Sequence, residues 1–164
     1  MKLITRGRYA VTAMLDLALH SEDGPVSLAD ISDRQEISLS YLEQLFSRLR
    51  RNDLVTSTRG PGGGYTVARP LSEVVVADIV LAVNESVDAT QCSGQKNCHP
   101  HGRCLTHDLW ESLSQQVENF LRGISLADLI NCEPVRQVAE KQSQRVVFHS
   151  NDSIAGPSAS VKVS

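Results

Sequence analysis

Three of the four cysteines and one histidine lie within sixteen residues, and this cluster restricts what that segment of the chain can be. Cys92, Cys98, Cys104 and His107 have the spacing C-x5-C-x5-C-x2-H in a polar, glycine-containing run. Thiolate and imidazole are the ligands that soft and borderline metals prefer. The segment over residues 91–107 is therefore predicted to be a loop that closes around a metal centre with its own four ligands.

Two ordinary explanations compete with a metal site. Disulfides are disfavoured because three clustered cysteines cannot all pair. The N-terminal run Met1–Tyr9 also lacks the apolar region of an export signal, so we expect a cytoplasmic protein in a reducing compartment. Chance clustering on a surface loop is the second explanation. The remaining thiol, Cys132, lies apart from the cluster and is interpreted as buried or idle.

The spacing of the ligands bears on which metal they bind. Zinc fingers and ribbons usually carry cysteine pairs two to four residues apart, whereas both gaps here are five residues. A [2Fe–2S] cluster spreads its ligands over two metal atoms, and histidine can replace cysteine on one iron. Imidazole can also protonate and leave, which suits a sensor better than an electron carrier. His99, His101 and Cys132 are competing candidate ligands.

The first fifty residues contain three amphipathic helical patterns. A stripe at i, i+3, i+4, i+7 and i+8 predicts a helix over residues 8–20, with the inner face Val11, Met14, Leu15, Ala18 and Leu19. The run Ser27–Asp30 has the form of a capping box and predicts a short helix to about Arg34. Ser38 is the predicted N-cap of a helix ending near Arg51, whose inner stripe is Leu42, Leu45, Phe46 and Leu49.

The outer face of this third helix is polar. It consists of Ser40, Glu43, Gln44, Ser47 and Arg51. Two short helices joined by a tight turn, the second with a hydrogen-bonding face, are typical of a helix-turn-helix. A merely solvated face is the alternative at this point.

A glycine-rich hairpin follows this helix and favours DNA binding. Leu54–Thr58 and Tyr65–Ala68 are predicted strands, joined by a turn that begins Arg59-Gly60 and holds four glycines. An arginine at such a tip can enter a narrow minor groove, and glycine lets the backbone approach phosphates closely. A phosphate-binding loop is excluded because Gly-Lys-Ser/Thr is missing. Residues 1–70 are therefore predicted to form a winged helix-turn-helix domain, with a purely structural hairpin as the alternative.

The remaining chain is predicted to be mainly helical. Residues 71–90 would form a linking helix, centred on Val76–Val83, with a buried strand as the alternative. A long helix from about Thr106 to Arg122 leads into a second capping-box run at Ser125, and residues 106–132 form the predicted dimerisation unit. Its apolar residues are spaced alternately three and four residues apart, as in the seam of a coiled coil. They are Trp110, Leu113, Val117, Phe120 and Ile124. A core-facing stripe is the alternative. Residues 137–164 are predicted to be a disordered tail.

Charge and motif content limit the function classes. The net charge of −3 argues against a non-specific nucleic-acid coat, but residues 48–59 carry four arginines against one acid. Such a local basic strip suits a site-specific DNA reader. No apolar run is long enough to span a bilayer, so no membrane partner is expected. An enzyme is not expected, because no nucleophilic triad, H-E-x-x-H motif or nucleotide loop is found.

Four segments carry a resemblance to a known family. They are Arg8–Asp16, Ile37–Ser47, Arg59–Tyr65 and the C-x5-C-x5-C-x2-H loop. Together they resemble the bacterial IscR family of iron–sulfur cluster regulators, and the resemblance extends from residue 1 to about residue 132. It implies a homodimeric winged-helix transcription factor that binds operator DNA, with a [2Fe–2S] cluster held by Cys92, Cys98, Cys104 and His107.

The same resemblance implies a regulatory scheme. The cluster-loaded form would repress the operon for iron–sulfur cluster assembly, whose machinery would donate the cluster, and the apo form would still bind a second operator class. Ser40, Gln44 and Arg59 match DNA-contacting positions of the family, and Glu43 matches a position that discriminates between operators. Arg48, Arg50 and Arg51 are expected to hold phosphates, with Gly60 in the wing. A nitric-oxide or redox sensor on the same fold and a zinc-stabilised DNA-binding module are the rival functions.

Overall fold

A computed structural model describes residues 5–85 and 87–152, with side chains described as far as residue 144. Within that part of the chain the elements are α1 Thr5–His20, α2 Leu28–Gln35, α3 Leu39–Arg51, β1 Val55–Thr58, β2 Gly64–Val67, α4 Val76–Ala82, α5 His107–Arg122, α6 Leu126–Ile130 and α7 Glu133–Asp152. The mainly helical fold with one small β-hairpin confirms the predicted fold class.

Helices α2 and α3 form the predicted helix-turn-helix. The Ser27 hydroxyl accepts a hydrogen bond from the Asp30 backbone N–H at 3.1 Å and so begins α2. The helix ends at Glu36, whose φ of 54° is left-handed. Ser38 occupies the N-cap of α3 but makes no capping hydrogen bond through its side chain. The predicted inner stripe of α3 is buried as expected and consists of Leu42, Leu45, Phe46 and Leu49.

The hairpin packs directly on the helix-turn-helix. Strands β1 and β2 are antiparallel, with Val55 opposite Val67 and Thr58 opposite Gly64. Tyr65 exchanges two backbone hydrogen bonds with Val26, and its ring lies edge-on to that of Phe46 at 4.9 Å between centroids. The hairpin is therefore held by the segment before α2 and by the inner face of α3, in the position of a wing.

Helix α1 lies across the core, but the predicted inner face is only partly right. Met14 and Ala18 are buried as predicted, whereas Val11 and Leu15 are only partly buried. The most buried face consists of Ala10, Ala13, Met14 and Leu17. The helix is apolar on more than one side because it packs against α4 on one side and α6 on another, so its stripe is too wide to locate from the spacing alone.

Helix α4 resolves the ambiguity between helix and strand over residues 76–83 in favour of a helix. Its first turn pairs with the segment before α6, since Val76 N–H donates to Ile124 O and Leu126 N–H donates to Val74 O, both at 2.9 Å. The second predicted capping box is present in full between Ser125 and Asp128. Helix α5 thus returns the chain to the core after the cysteine loop.

The prediction of a disordered tail from residue 137 is wrong as far as Asp152, because α7 spans Glu133–Asp152. Val135, Ala139 and Gln142 are partly buried and have a helical spacing of four and three residues. With few apolar residues among many glutamines and serines, that stripe is weak in the sequence. Residues 153–164 of the predicted tail lie outside the described residues.

Candidate metal centre and nucleic-acid interface

His107 is the first residue of α5, and its ring faces the cysteine loop. Its Nδ1 lies 3.5 Å from Cys92 Sγ and 3.6 Å from Cys98 Sγ. The side chain is almost fully buried, and Nε2 has no hydrogen-bond partner among the described residues. The nearest carboxylate oxygen, of Glu111, is 3.9 Å from Nε2. A buried imidazole nitrogen that faces two thiols supplies, together with them, the kind of donor set that soft and borderline metals prefer.

Cys104 lies beside this group rather than within it. The ligand atoms of Cys92, Cys98 and His107 all lie within 4.8 Å of one another, and Cys104 is not part of that group among the described residues. Its backbone N–H donates to Cys98 Sγ at 3.0 Å. Cys98, Cys104 and His107 share a cavity of about 340 Å³, of which Trp110 forms one wall. The four predicted ligands thus meet at one place, with three converging and the fourth adjacent.

The three thiols differ in acidity. Burial raises the pKa of Cys92, but hydrogen bonds from the Lys96 backbone and the Thr90 hydroxyl outweigh it and lower the pKa to about 7. A hydrogen bond from the Cys98 side chain, together with the Thr106 backbone, lowers the pKa of Cys104. The backbone N–H of Cys104 lowers the pKa of Cys98, but hydrogen bonding to the neighbouring thiols and burial leave it raised. Cys92 and Cys104 therefore ionise first, as metal binding requires.

The segment that leads into the loop, residues 88–90, is held by α5. The Ser114 hydroxyl oxygen accepts the Ala89 backbone N–H at 2.8 Å and lies 3.5 Å from Asp88 Oδ1, while its own hydrogen is better placed for Trp110 O at 2.7 Å. Asp88 Oδ1 also accepts the Thr90 N–H at 2.7 Å. The loop thus begins and ends on one helix, because Ser114 holds its start and His107 is its end. Nothing in the spacing of Asp88 and Ser114 in the sequence indicates this pairing.

The competing ligands do not join the site in this structure. His99 and His101 are exposed, with ring centroids 5.5 Å apart, and neither belongs to the converging group. Cys132 is exposed rather than buried, and it lies after α6 instead of in the loop. The prediction that the Cys132 thiol is buried is therefore wrong. That this thiol has no functional role stays a prediction.

The predicted DNA-contacting side chains on α3 and the wing are exposed, with one exception. Ser40, Glu43, Gln44, Arg50, Arg51, Arg59 and Gly60 are all on the surface. Arg48 is partly buried, and its Nη1 donates to the Val83 carbonyl at the end of α4, at 3.0 Å. Arg50 faces the wing, with Nη1 3.2 Å from Ser57 Oγ. The recognition helix and the wing therefore present a continuous polar and basic surface.

The apolar stripe of α5 is only partly covered. Phe120 is 67% exposed, Trp110 40% and Leu113 37%, whereas Val117 and Ile124 are partly buried. Leu109 beside it is 60% exposed. Helix α5 packs mainly on α4, which leaves this stripe open. Such a run of exposed large apolar side chains on one helix marks an interaction surface.

Sequence reasoning missed one buried polar network. Asp16 on α1 is 2% exposed and accepts two hydrogen bonds from Arg34 Nε and Nη2 at 3.0 and 2.7 Å. It also accepts one from Gln35 Nε2 at 2.7 Å, and Gln35 in turn bonds Gln142 on α7. The only signal in the sequence is an acid inside an otherwise apolar helical face. The network joins α1, α2 and α7.

A recognition helix, a basic wing and a cysteine–histidine loop define a winged helix-turn-helix transcriptional regulator. A family model described as Rrf2, iron-dependent transcriptional regulator, matches residues 3–132. The chain belongs to the Rrf2 family. None of the helices in the described part of the chain combines the length and the hydrophobicity that a membrane span requires.

Individual relatives agree with this membership. The chain is 61% identical over 142 residues to an HTH-type transcriptional regulator IscR of Photorhabdus laumondii, which covers 87% of both chains. A protein of the same name from Yersinia pseudotuberculosis is 59% identical over 87% of both chains. These relatives are transcriptional regulators, so the prediction that the chain is not an enzyme is confirmed.

Solved structures show the same fold. The structure of T. potens IscR is 39% identical, with a TM-score of 0.65 over 79% of this chain and 86% of that one. The structure of CymR, the global cysteine regulator of B. subtilis, is 32% identical, with a TM-score of 0.67 over 79% and 95%. The winged-helix architecture predicted from the sequence is therefore confirmed.

Proposed function

We propose that this regulator senses iron–sulfur cluster status through a [2Fe–2S] cluster bound by Cys92, Cys98, Cys104 and His107. The observation that carries the proposal is the convergence of two thiols on the buried His107 ring, with Cys104 adjacent. The site also lies at the N-terminus of α5, where the helix dipole favours negative thiolates. When bound, the cluster supplies a centre that oxygen or iron scarcity can remove.

Two features support an iron–sulfur cluster over a single zinc. Zinc sites usually take cysteine pairs two to four residues apart, whereas both Cys–Cys gaps in this loop are five residues. A cavity of about 340 Å³ lies beside Cys98, Cys104 and His107, which leaves room for a centre with two metal atoms. The family is described as iron-dependent, and the relatives above carry the name IscR.

The DNA is read by a homodimer in this proposal. The exposed stripe of α5 would pair with the same stripe of a second copy, and two α3 helices would enter successive major grooves about 34 Å apart. Ser40, Glu43 and Gln44 face base edges, while Arg50 and Arg51 hold phosphates. The wing places Arg59 in the minor groove, and Gly60 allows the backbone to approach the strand.

The regulatory scheme follows from the two states of the loop. In the bacterial cytoplasm, the loaded dimer represses the operon for iron–sulfur cluster assembly, whose machinery donates the cluster. The apo dimer binds a second operator class. Glu43 discriminates between these operators, because a carboxylate at a phosphate surface is repelled unless it accepts a hydrogen bond from a cytosine amino group.

The test is anaerobic purification followed by a visible spectrum and analysis of iron, sulfide and zinc. We expect broad visible absorption with about two iron and two sulfide per chain. The His107→Ala variant should lose this absorption but keep DNA binding of the apo type. A colourless protein with about one zinc per chain would sink the sensing proposal and leave a structural metal site. Exposing the loaded protein to nitric oxide and then measuring operator binding tests the alternative function, a nitric-oxide or redox sensor.

A further inference from the structure

Side chains of the DNA-reading head hold the C-terminal end of α4. The Val83 carbonyl accepts hydrogen bonds from Arg48 Nη1 at 3.0 Å and from Arg6 Nη1 at 3.4 Å. The Ala82 carbonyl accepts one from Asn52 Nδ2 at 3.4 Å. Cationic and amide donors at a helix C-terminus satisfy carbonyls that the helix itself leaves unpaired. Arg48 and Asn52 belong to the last turn and C-cap of α3, so the recognition helix is joined to the end of α4.

The next residues fix this junction against α1. Asn84 is left-handed, with a φ of 59°, and the Glu85 N–H closes the end of α4 on Val80 O at 3.3 Å. Glu85 is 6% exposed, and its Oε2 accepts the backbone N–H of Gly7 at 2.8 Å. A side chain at Gly7 would collide with that oxygen. The end of α4 therefore cannot move without disturbing both α1 and α3.

The cysteine loop begins a few residues further along the chain. Ser114 and a local turn hold Asp88, Ala89 and Thr90, and Cys92 lies two residues after Thr90. The Cys92 thiol meets the His107 ring at the start of α5. The ligand loop and the recognition helix are thus separated only by the short segment between Val83 and Asp88.

We propose that Arg48 is a positioning residue that transmits the state of the cysteine loop to the recognition helix. This inference rests on the proposed function. Ordering of the loop restrains its anchor at Asp88–Thr90 and the end of α4 at Val83–Glu85, and the hydrogen bond from Arg48 to Val83 passes that change to α3. Arg48 therefore sets the difference in operator affinity between the loaded and apo forms, and is not primarily a phosphate ligand.

The neighbouring Arg50 provides the contrast. It lies on the same turn of α3, is exposed, and faces the wing through Ser57. Loss of a phosphate contact should weaken binding by the same factor at every DNA site and should reduce the dependence of affinity on salt. A coupling contact should instead change the ratio of affinities between two states of the protein. Arg48→Met and Arg50→Met remove the same charge and keep similar stems, so they form a matched pair.

The experiment uses the full-length parent and both variants, each cluster-loaded and cluster-free. The probe is a DNA duplex selected from a random pool by the loaded parent after removal of the duplexes that the cluster-free parent binds, because the apo form is proposed to bind a second operator class. We expect the loaded parent to bind it about tenfold more tightly than the cluster-free parent, a common size for such coupling. For Arg48→Met this ratio should fall to about two, with visible absorption per chain and the salt dependence unchanged. Arg50→Met should keep the tenfold ratio and bind more weakly in both states.

The outcomes separate this inference from the function on which it rests. A parent with equal affinity in both states overturns the proposed function and this inference with it. If the loaded and cluster-free forms of the parent differ in DNA affinity and the two forms of Arg48→Met differ by the same ratio, the inference alone is overturned. If Arg48→Met does not fold, hydrogen exchange in the parent decides. Loading should slow exchange at the amides of Asn52 and Glu85, and unchanged exchange at both would contradict the coupling.

Discussion

At the scale of single residues, two buried polar side chains, Asp16 and His107, differ in their hydrogen-bond partners. Asp16 is surrounded by donors on α2 and forms a complete ion pair. His107 has one ring nitrogen facing thiols and the other without a hydrogen-bond partner among the described residues. The complete pairing of Asp16 gives it a structural role, whereas the approach of Nδ1 to two thiols makes His107 a candidate metal ligand.

Replacement of Asp16 by alanine should destabilise the protein strongly. The Asp16 side chain is 1% exposed and that of Arg34 11%, so the substitution leaves a largely buried guanidinium without its partner. We expect the free energy of unfolding to fall by about 3 kcal/mol in urea titrations. The control is Glu118→Ala, which removes an exposed i,i+4 pair with Arg122 and should cost less than about 0.5 kcal/mol. Equal losses would show that the buried network contributes little.

The three loop thiols should be alkylated at different pH values in the metal-free protein. The pKa of Cys92 is lowered to about 7 and that of Cys98 is raised, so the Cys92 thiolate forms at lower pH than the Cys98 thiolate. Iodoacetamide followed by peptide mass spectrometry should show Cys92 reacting with a midpoint near pH 7, well below that of Cys98. The Thr90→Val variant removes one hydroxyl donor and should raise the Cys92 midpoint. Identical profiles for the two thiols would contradict this order.

Replacement of Glu43 by alanine should relax operator discrimination. The side chain is exposed on the outer face of α3, where an unsatisfied carboxylate penalises sites without a matching donor. We expect the ratio of affinities between preferred and non-preferred duplexes to fall by about tenfold, as expected for one base-pair contact. Competition binding across an operator panel measures it. The control Glu36→Ala removes an exposed acid from the turn between α2 and α3. Equal ratios for the Glu43 variant and parent would remove Glu43 from specificity.

At the scale of elements, the wing and α7 are both positioned by packing on the helix-turn-helix. The wing is fixed by the Tyr65–Val26 backbone bonds and by the contact with Phe46, so its tip stands beside α3. Helix α7 reaches α1 and α2 through Gln142 and through Ser143, which lies 3.2 Å from His20 Nε2. It lies beyond the residues matched by the family model, which end at Cys132.

Removal of the charge at the wing tip should weaken DNA binding without changing sequence preference. Arg59 is exposed at the start of a turn in which Gly60 and Gly62 have positive φ. For Arg59→Ala we expect weaker binding at every site and a salt slope smaller by about one. Arg136→Ala on α7 is the matched control, since it removes an exposed arginine away from the wing. An affinity equal to that of the parent would remove the wing from the DNA interface.

At the scale of the whole molecule, the exposed stripe of α5 is the part of the described chain that most clearly lacks a cover. The stripe begins next to the cysteine loop with Trp110 and continues to Phe120. A two-fold pairing of such stripes would bring the two ligand loops close to one interface. Cluster loading and dimer geometry would then be connected through α5, in addition to the path through Arg48.

A charge placed on this stripe should abolish self-association. Phe120 is 67% exposed in the single chain, so Phe120→Asp should leave the monomer fold intact. In a dimer it would bury a carboxylate, at a cost of several kcal/mol. We expect sedimentation velocity to show dimers for the parent and monomers for the variant. Gln115→Glu, on the opposite side of α5, should leave the dimer unchanged. Dimeric Phe120→Asp protein would place the interface elsewhere.

Local patterns were sufficient for most of the elements and for the choice of candidate ligands. The N-cap at Ser27, the capping box at Ser125, the stripe of α3 and the glycine turn of the wing act through neighbours in the chain, so spacing alone predicts them. The four candidate ligands likewise occupy one short loop, so their spacing is visible in the sequence. Together with their resemblance to a known family, these patterns determined the class of protein.

The tertiary structure decided what depends on packing between distant segments. Three such contacts are the hydrogen bond from Arg48 to the Val83 carbonyl, the bond from the Gly7 N–H in the first turn of α1 to Glu85, and the ion pair of Asp16 with Arg34. The tertiary structure also made a helix of residues predicted to be disordered, because α7 packs on α2 and α6 and Gln142 bonds Gln35. Each of these polar contacts depends on groups from separate elements that replace hydrogen bonds to water with hydrogen bonds to one another, and spacing along the chain carries no record of which elements meet.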